Sequence, residues 1–86
     1  SLLEMMEKVN VEDPSQFREK IQLGRDGISL RLKGNSALFL PEVAPEQGWN
    51  VENTLRQLCR KAGLEEDDWR DSETEVLCFQ TKHLED

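Results

Sequence analysis

Gly27-Ile28-Ser29-Leu30-Arg31-Leu32-Lys33-Gly34-Asn35-Ser36-Ala37-Leu38-Phe39-Leu40 is the stretch whose reading decides the fold. Ile28, Leu30 and Leu32 alternate with Ser29, Arg31 and Lys33. Successive side chains of an extended chain point to opposite faces, so this alternation predicts a strand with one face buried and a polar face in solvent. Gly34-Asn35 is a tight-turn pair, and Ser36–Leu40 reads as a second strand. Together they predict an antiparallel β-hairpin. Just upstream, Gly24-Arg25-Asp26-Gly27 reads as the turn that delivers the chain into it.

Beyond the hairpin, Pro41-Glu42-Val43-Ala44-Pro45-Glu46-Gln47-Gly48-Trp49 cannot continue a strand, because two prolines remove donors and fix φ. The segment predicts a loop. Asn50 then caps a strong helix over about 51–62, in which Val51, Leu55, Leu58, Cys59 and Ala62 form one apolar stripe. Glu52 in the first turn and Arg60 and Lys61 in the last suit the helix dipole. Gly63 supplies the stop, and Leu64 can fold back on the last turn. The polar connection 65–71 carries Trp69 as an anchor to the core, and Thr74–Leu84 reads as a strand. Its Val76-Leu77-Cys78-Phe79 run is apolar on both faces, which predicts an interior strand covered on both sides.

Working back from the hairpin, Asp13-Pro14 starts a short helix over about 14–21 that buries Phe17 and Ile21. Ser1–Val9 fits either a helix or an entering strand. The order is therefore uncertain-α-β-β-α-β. That is an α+β architecture: an antiparallel hairpin plus a C-terminal strand, with a long amphipathic helix packed on the sheet.

Composition limits the function classes. The 86 residues carry 11 Lys and Arg against 18 Asp and Glu, a formal net charge of −7. Phosphate backbones and anionic bilayers select clustered basic residues, so neither nucleic acid nor membrane is an expected partner. No stretch approaches the ~20 apolar residues of a membrane span. No secretory leader pattern opens the sequence, and two cysteines make no disulfide framework, so a reducing, cytoplasmic setting is expected. His83 is the single histidine and has no Cys or His at ligand spacing, so no metal is expected. It is expected on the surface. The opening Ser1-Leu2-Leu3, rather than Met, predicts a piece of a longer protein.

Three segments resemble a known family. Gly24–Gly27, the run Leu38-Phe39-Leu40-Pro41-Glu42-Val43-Ala44-Pro45-Glu46-Gln47-Gly48-Trp49, and Leu58-Cys59-Arg60-Lys61-Ala62-Gly63-Leu64 are similar to the AMMECR-type domain, also called protein A of the AmmeMemoRadiSam system. Trp69-Arg70-Asp71 and the closing strand are similar to its bacterial branch. The resemblance implies an α/β-type fold of two unequal subdomains in a domain about twice this length. It implies no established reaction and no cofactor. The family's Leu-Arg-Gly-Cys-Ile-Gly motif does not occur in these 86 residues, and neither Cys59 nor Cys78 has its glycine-flanked setting. Residues 1–86 are therefore expected to be the C-terminal portion of such a domain, with no second domain.

The candidate pocket residues are Pro41, Glu42, Glu46, Gln47, Gly48 and Trp49. They form one wall of a site if Glu46 supplies a carboxylate and Gly48 admits a ligand close to the backbone. They are structural if Pro41 ends the strand, Gly48 takes a positive φ and Trp49 staples the loop to the helix below. As a core residue, Trp49 would cost ~3–5 kcal/mol on truncation to alanine. Cys59 sits on the apolar stripe, where burial disfavours a nucleophilic thiolate. Two roles remain: half of an enzyme whose chemistry comes from the missing cysteine motif, or a non-catalytic module that binds protein partners or a second copy of itself.

Overall fold

The computed structural model describes residues 6–80. Strand β1 (Glu7–Lys8) precedes a 3₁₀ turn at Pro14–Gln16 that runs into helix α1 (Phe17–Lys20). The hairpin follows as β2 (Asp26–Leu32) and β3 (Asn35–Phe39), then helices α2 (Val43–Gln47) and α3 (Val51–Lys61). A second 3₁₀ turn at Asp68–Arg70 leads to β4 (Glu75–Gln80). The four strands form one sheet in the order β1-β4-β2-β3, every neighbour antiparallel. The architecture is α+β, as the alternation and the helical stripe predicted. His83, Leu2, Leu3 and the end of the predicted last strand lie outside the described residues.

Hydrogen bonding at the element ends explains why they stop where they do. Asn50 Oδ1 accepts from the Asn53 N–H at 2.7 Å, capping α3. At the other end Gly63 sits at φ +83, and the Leu64 N–H donates to the Cys59 carbonyl at 2.8 Å, closing a Schellman motif. Asp13 caps the first 3₁₀ turn through the Ser15 N–H, and Gln16 reaches back to the Asp13 N–H.

The core lies between α3 and one sheet face. Val51, Leu55, Leu58 and Cys59 meet Ile28, Leu30 and Val76, with Phe17, Ile21 and Trp69 closing the side. The Phe17 and Trp69 rings meet edge-on at 6.2 Å, so Trp69 does anchor the acidic connection. Among the described residues the buried Trp69 Nε1–H has no hydrogen-bond partner.

Four local expectations are corrected. The hairpin turn is Lys33-Gly34, not Gly34-Asn35: Leu32 pairs with Asn35, leaving two loop residues, with φ +52 at Lys33 and +85 at Gly34. A two-residue loop that follows the strand twist demands positive φ at both positions. Gly27 belongs to β2, not to the preceding turn, and only Gly24 is left-handed there, at φ +89. Ser29 does not face water: it is 7% exposed, held mid-sheet between Leu38 of β3 and Leu77 of β4. Finally, 41–49 is not all loop, because Val43–Gln47 is helical. Pro45 is tolerated as the third helical residue, where the missing N–H would have no partner in the helix.

β4 is interior, as predicted. Val76 is buried on the α3 side and Phe79 on the other, the latter lying directly over Gly27.

Candidate functional site

Two surfaces stand out. The first is the sheet face turned away from α3. Because directly paired residues share a face, Leu38, Ser29, Leu77 and Lys8 form one row across β3, β2, β4 and β1. The next row is polar: Arg31 pairs with Ser36 and Glu75, and its guanidinium lies 2.9 Å from the Glu75 carboxylate. Lys8 approaches the same carboxylate at 3.8 Å. Leu38 and Leu40 are 41% and 42% exposed, the large hydrophobic side chains most open to solvent among the described residues. Leu77 is half-buried between them and the charged rim.

The second surface is a cavity of about 420 Å³ where β1, β4 and the start of β2 come together. Lys20, Arg25, Glu7 and Asp26 bring charge to it, Val9, Cys78 and Phe79 give it apolar wall, and Asn10 and Gln80 add polar lining, while the ammonium of Lys8 at its edge turns to Glu75. Asp26 is its built element. Oδ1 accepts from Arg25 Nε at 3.0 Å; Oδ2 accepts from Arg25 Nη2 at 3.3 Å and from the Gln22 N–H at 3.1 Å. Burial alone would raise the Asp26 carboxyl, but the Arg25 and Gln22 donors, with Gln80, outweigh it and hold the group below its ordinary value. The periodicity gave no sign of this site, because Arg25 and Asp26 read as ordinary turn residues and Cys78 as core.

The six residues singled out in the sequence lie elsewhere. Pro41 is buried, Trp49 is half-buried, and Glu42, Glu46, Gln47 and Gly48 are exposed; none of them lines the cavity. Gly48 takes the expected positive φ of +73 as the cap of α2. The Trp49 ring packs on Phe39 at 5.5 Å, which fastens the segment to β3. With the residue only partly buried, Trp49→Ala should cost ~1–2 kcal/mol in urea unfolding, less than a core tryptophan. A change below ~0.5 kcal/mol would show that the ring fastens nothing.

Neither cysteine is poised for nucleophilic work. Burial pushes the Cys59 thiol up to about 11 and the Cys78 thiol up to about 12. Both are free thiols. Among the described residues no group of three His, Cys, Asp or Glu side chains is arranged to hold a metal ion, and no helix is long and apolar enough to cross a membrane.

A small antiparallel sheet, one amphipathic helix across it and the Leu38–Trp49 segment define an α+β domain of the kind the sequence resembles. A family model described as AMMECR1 matches residues 1–84, and the chain belongs to that family. A protein of Methanopyrus kandleri is 37% identical over all of this chain, which spans 42% of that protein. One from Methanocaldococcus jannaschii is likewise 37% identical over the whole chain, spanning 43% of it. The crystal structure of an uncharacterised protein from Pyrococcus horikoshii superposes with a TM-score of 0.81 at 39% identity, covering 87% of this chain and 36% of that one. The chain thus spans about two fifths of the length of the curated relatives it matches.

Proposed function

We propose that this chain is the C-terminal portion of an AMMECR1-type domain and works as a cytoplasmic binding module. Its outer sheet face docks the rest of a family-length polypeptide. One observation carries this: Leu38 and Leu40 leave an apolar patch 41% and 42% exposed at one edge of the outer sheet face, with half-buried Leu77 beyond Ser29, and the Arg31–Glu75–Lys8 charges bound it. An apolar patch with a polar rim is the usual form of a protein-binding surface. The relatives' length supplies the occupant, since more than half of each lies outside the matched region. Any chemistry would come from the cysteine motif in that portion. Two free thiols fit a reducing compartment, and the net charge of −7 disfavours nucleic acid and anionic membrane as partners. In this reading Pro41–Trp49, which follows Leu40 and exposes Glu42, Glu46 and Gln47, forms the rim of the docking surface.

The test is co-expression of this chain with the polypeptide encoded upstream of Ser1, which should contain Leu-Arg-Gly-Cys-Ile-Gly. The two pieces should co-purify as a one-to-one complex. The pair Leu38→Lys and Leu40→Lys should weaken binding at least about tenfold, leaving the melting temperature of the chain alone unchanged. Absence of the upstream motif, failure to associate, or equal binding by the double variant would overturn the proposal.

A further inference from the structure

The strand order β1-β4-β2-β3 leaves β3 at the edge of the sheet, with no second strand neighbour among the described residues. Its free backbone groups follow from the hairpin. A two-residue loop closes on a hydrogen-bonded pair, here Leu32 and Asn35, and such pairs then alternate along the ladder. Ala37 and Phe39 therefore turn their N–H and C=O toward β2, and Ser36 and Leu38 turn theirs outward. The strand's own sequence leaves this edge bare. Residues 35–40 hold no charge and no proline, the usual blocks to strand addition, and Asn35, Ser36, Leu38 and Leu40 are exposed. The cover comes from α3. Lys61 Nζ donates to the outward Leu38 carbonyl at 2.8 Å and stands over the Phe39 ring, 4.9 Å from its centroid. Lys61 makes no ion pair among the described residues, so this edge is where its ammonium is held.

We infer that the free edge of β3 is a pairing surface for a second copy of this chain, and that Lys61 holds it closed. The edge complements itself. Antiparallel pairing about a two-fold axis at Ala37 sets Ser36 opposite the partner's Leu38, and each such pair exchanges two backbone hydrogen bonds. Two pairs of two make four bonds, and half of them need the Leu38 carbonyls that Lys61 occupies. Pairing must therefore strip an ammonium from the carbonyl and the Phe39 ring of each copy, and it brings two cations to one seam. The inference concerns backbone groups at the edge rather than side chains of the outer face, so failure of the docking proposal would leave it standing.

Light scattering over a range of protein concentration, with amide hydrogen exchange read by NMR, tests it on the 86-residue chain. Lys61→Ala, at an exposed position at the end of α3, should tighten self-association at least about tenfold over the parent and approach twice the mass of one chain. Exchange at the Ser36 and Leu38 amides should slow as that dimer forms, while Ala37 and Phe39, already bonded to β2, stay as they were. Lys61→Arg, which keeps a cation and donors of similar reach, should associate no more than the parent. An alanine variant no more associated than the parent, a dimer in which the Ser36 and Leu38 amides exchange as fast as in the monomer, or an arginine variant that pairs as readily as the alanine one would overturn the inference.

Discussion

Leu58→Ala is expected to destabilise the chain by ~2–5 kcal/mol, the cost of deleting a fully buried leucine and leaving a cavity behind. Leu58 has no exposed surface and sits on the α3 stripe with Leu55 and Cys59, against the sheet and beside Trp69. At ~0.05–0.15 kcal/mol per residue, a chain of this size holds only about 4–13 kcal/mol in total. The variant should therefore melt ~10–30 °C lower. Thermal and urea unfolding would measure this, with Leu58→Met as the volume-conserving control, expected to lose under ~1.5 kcal/mol. A loss below ~1 kcal/mol for the alanine variant would mean that α3 is not what holds the sheet.

The second large effect is expected from adding a single methyl group. A Cβ built on Gly27 would lie 2.2, 2.3 and 2.7 Å from three carbons of the Phe79 ring, closer than any real Cβ contact. Phe79 is 2% exposed and pairs directly with Gly27 across β2 and β4, so the ring must be displaced from a packed position. Gly27→Ala should cost ~1–3 kcal/mol or more through overpacking, although its backbone is an ordinary strand conformation. The control is a double-mutant cycle. Phe79→Ala alone should cost ~3–5 kcal/mol. Adding Gly27→Ala to it should then cost at least ~1 kcal/mol less than in the parent, because the obstructing ring is gone. Strict additivity would show that the ring and the glycine do not oppose one another.

These two residues also show where sequence reading succeeds and fails. Leu58 is legible because helical periodicity is short-range: Val51, Leu55, Leu58 and Cys59 must share a face of any helix they form. Asn50 and Gly63 are legible for the same reason, since a cap satisfies backbone groups within one turn. Gly27 reads as a turn residue because its partner, Phe79, is 52 positions away in sequence and reaches it only through strand pairing. Ser29 fails likewise. Alternation assigns it to the polar face of β2, but nothing local reveals that Leu38 and Leu77 will flank it from both neighbouring strands. The candidate site shows the same division. The Leu38–Trp49 run carried the family, yet the residues that share the cavity, Glu7, Lys20, Arg25 and Cys78, come from four separate parts of the chain. No motif spacing links them.

The sequence by itself determined that this is an α+β chain of the AMMECR1 family, with an antiparallel hairpin, one capped amphipathic helix and an interior last strand. Each of these rests on a local rule: a two-residue or 3.6-residue period, a cap, or a turn. Only the tertiary structure decided the strand order β1-β4-β2-β3, the glycine that Phe79 requires, the exposed leucines flanking Ser29 on the outer face and the Arg25–Asp26 clamp beside the cavity. These arise where strands distant in sequence are set side by side, and that pairing is selected by the burial of whole faces rather than by any one segment.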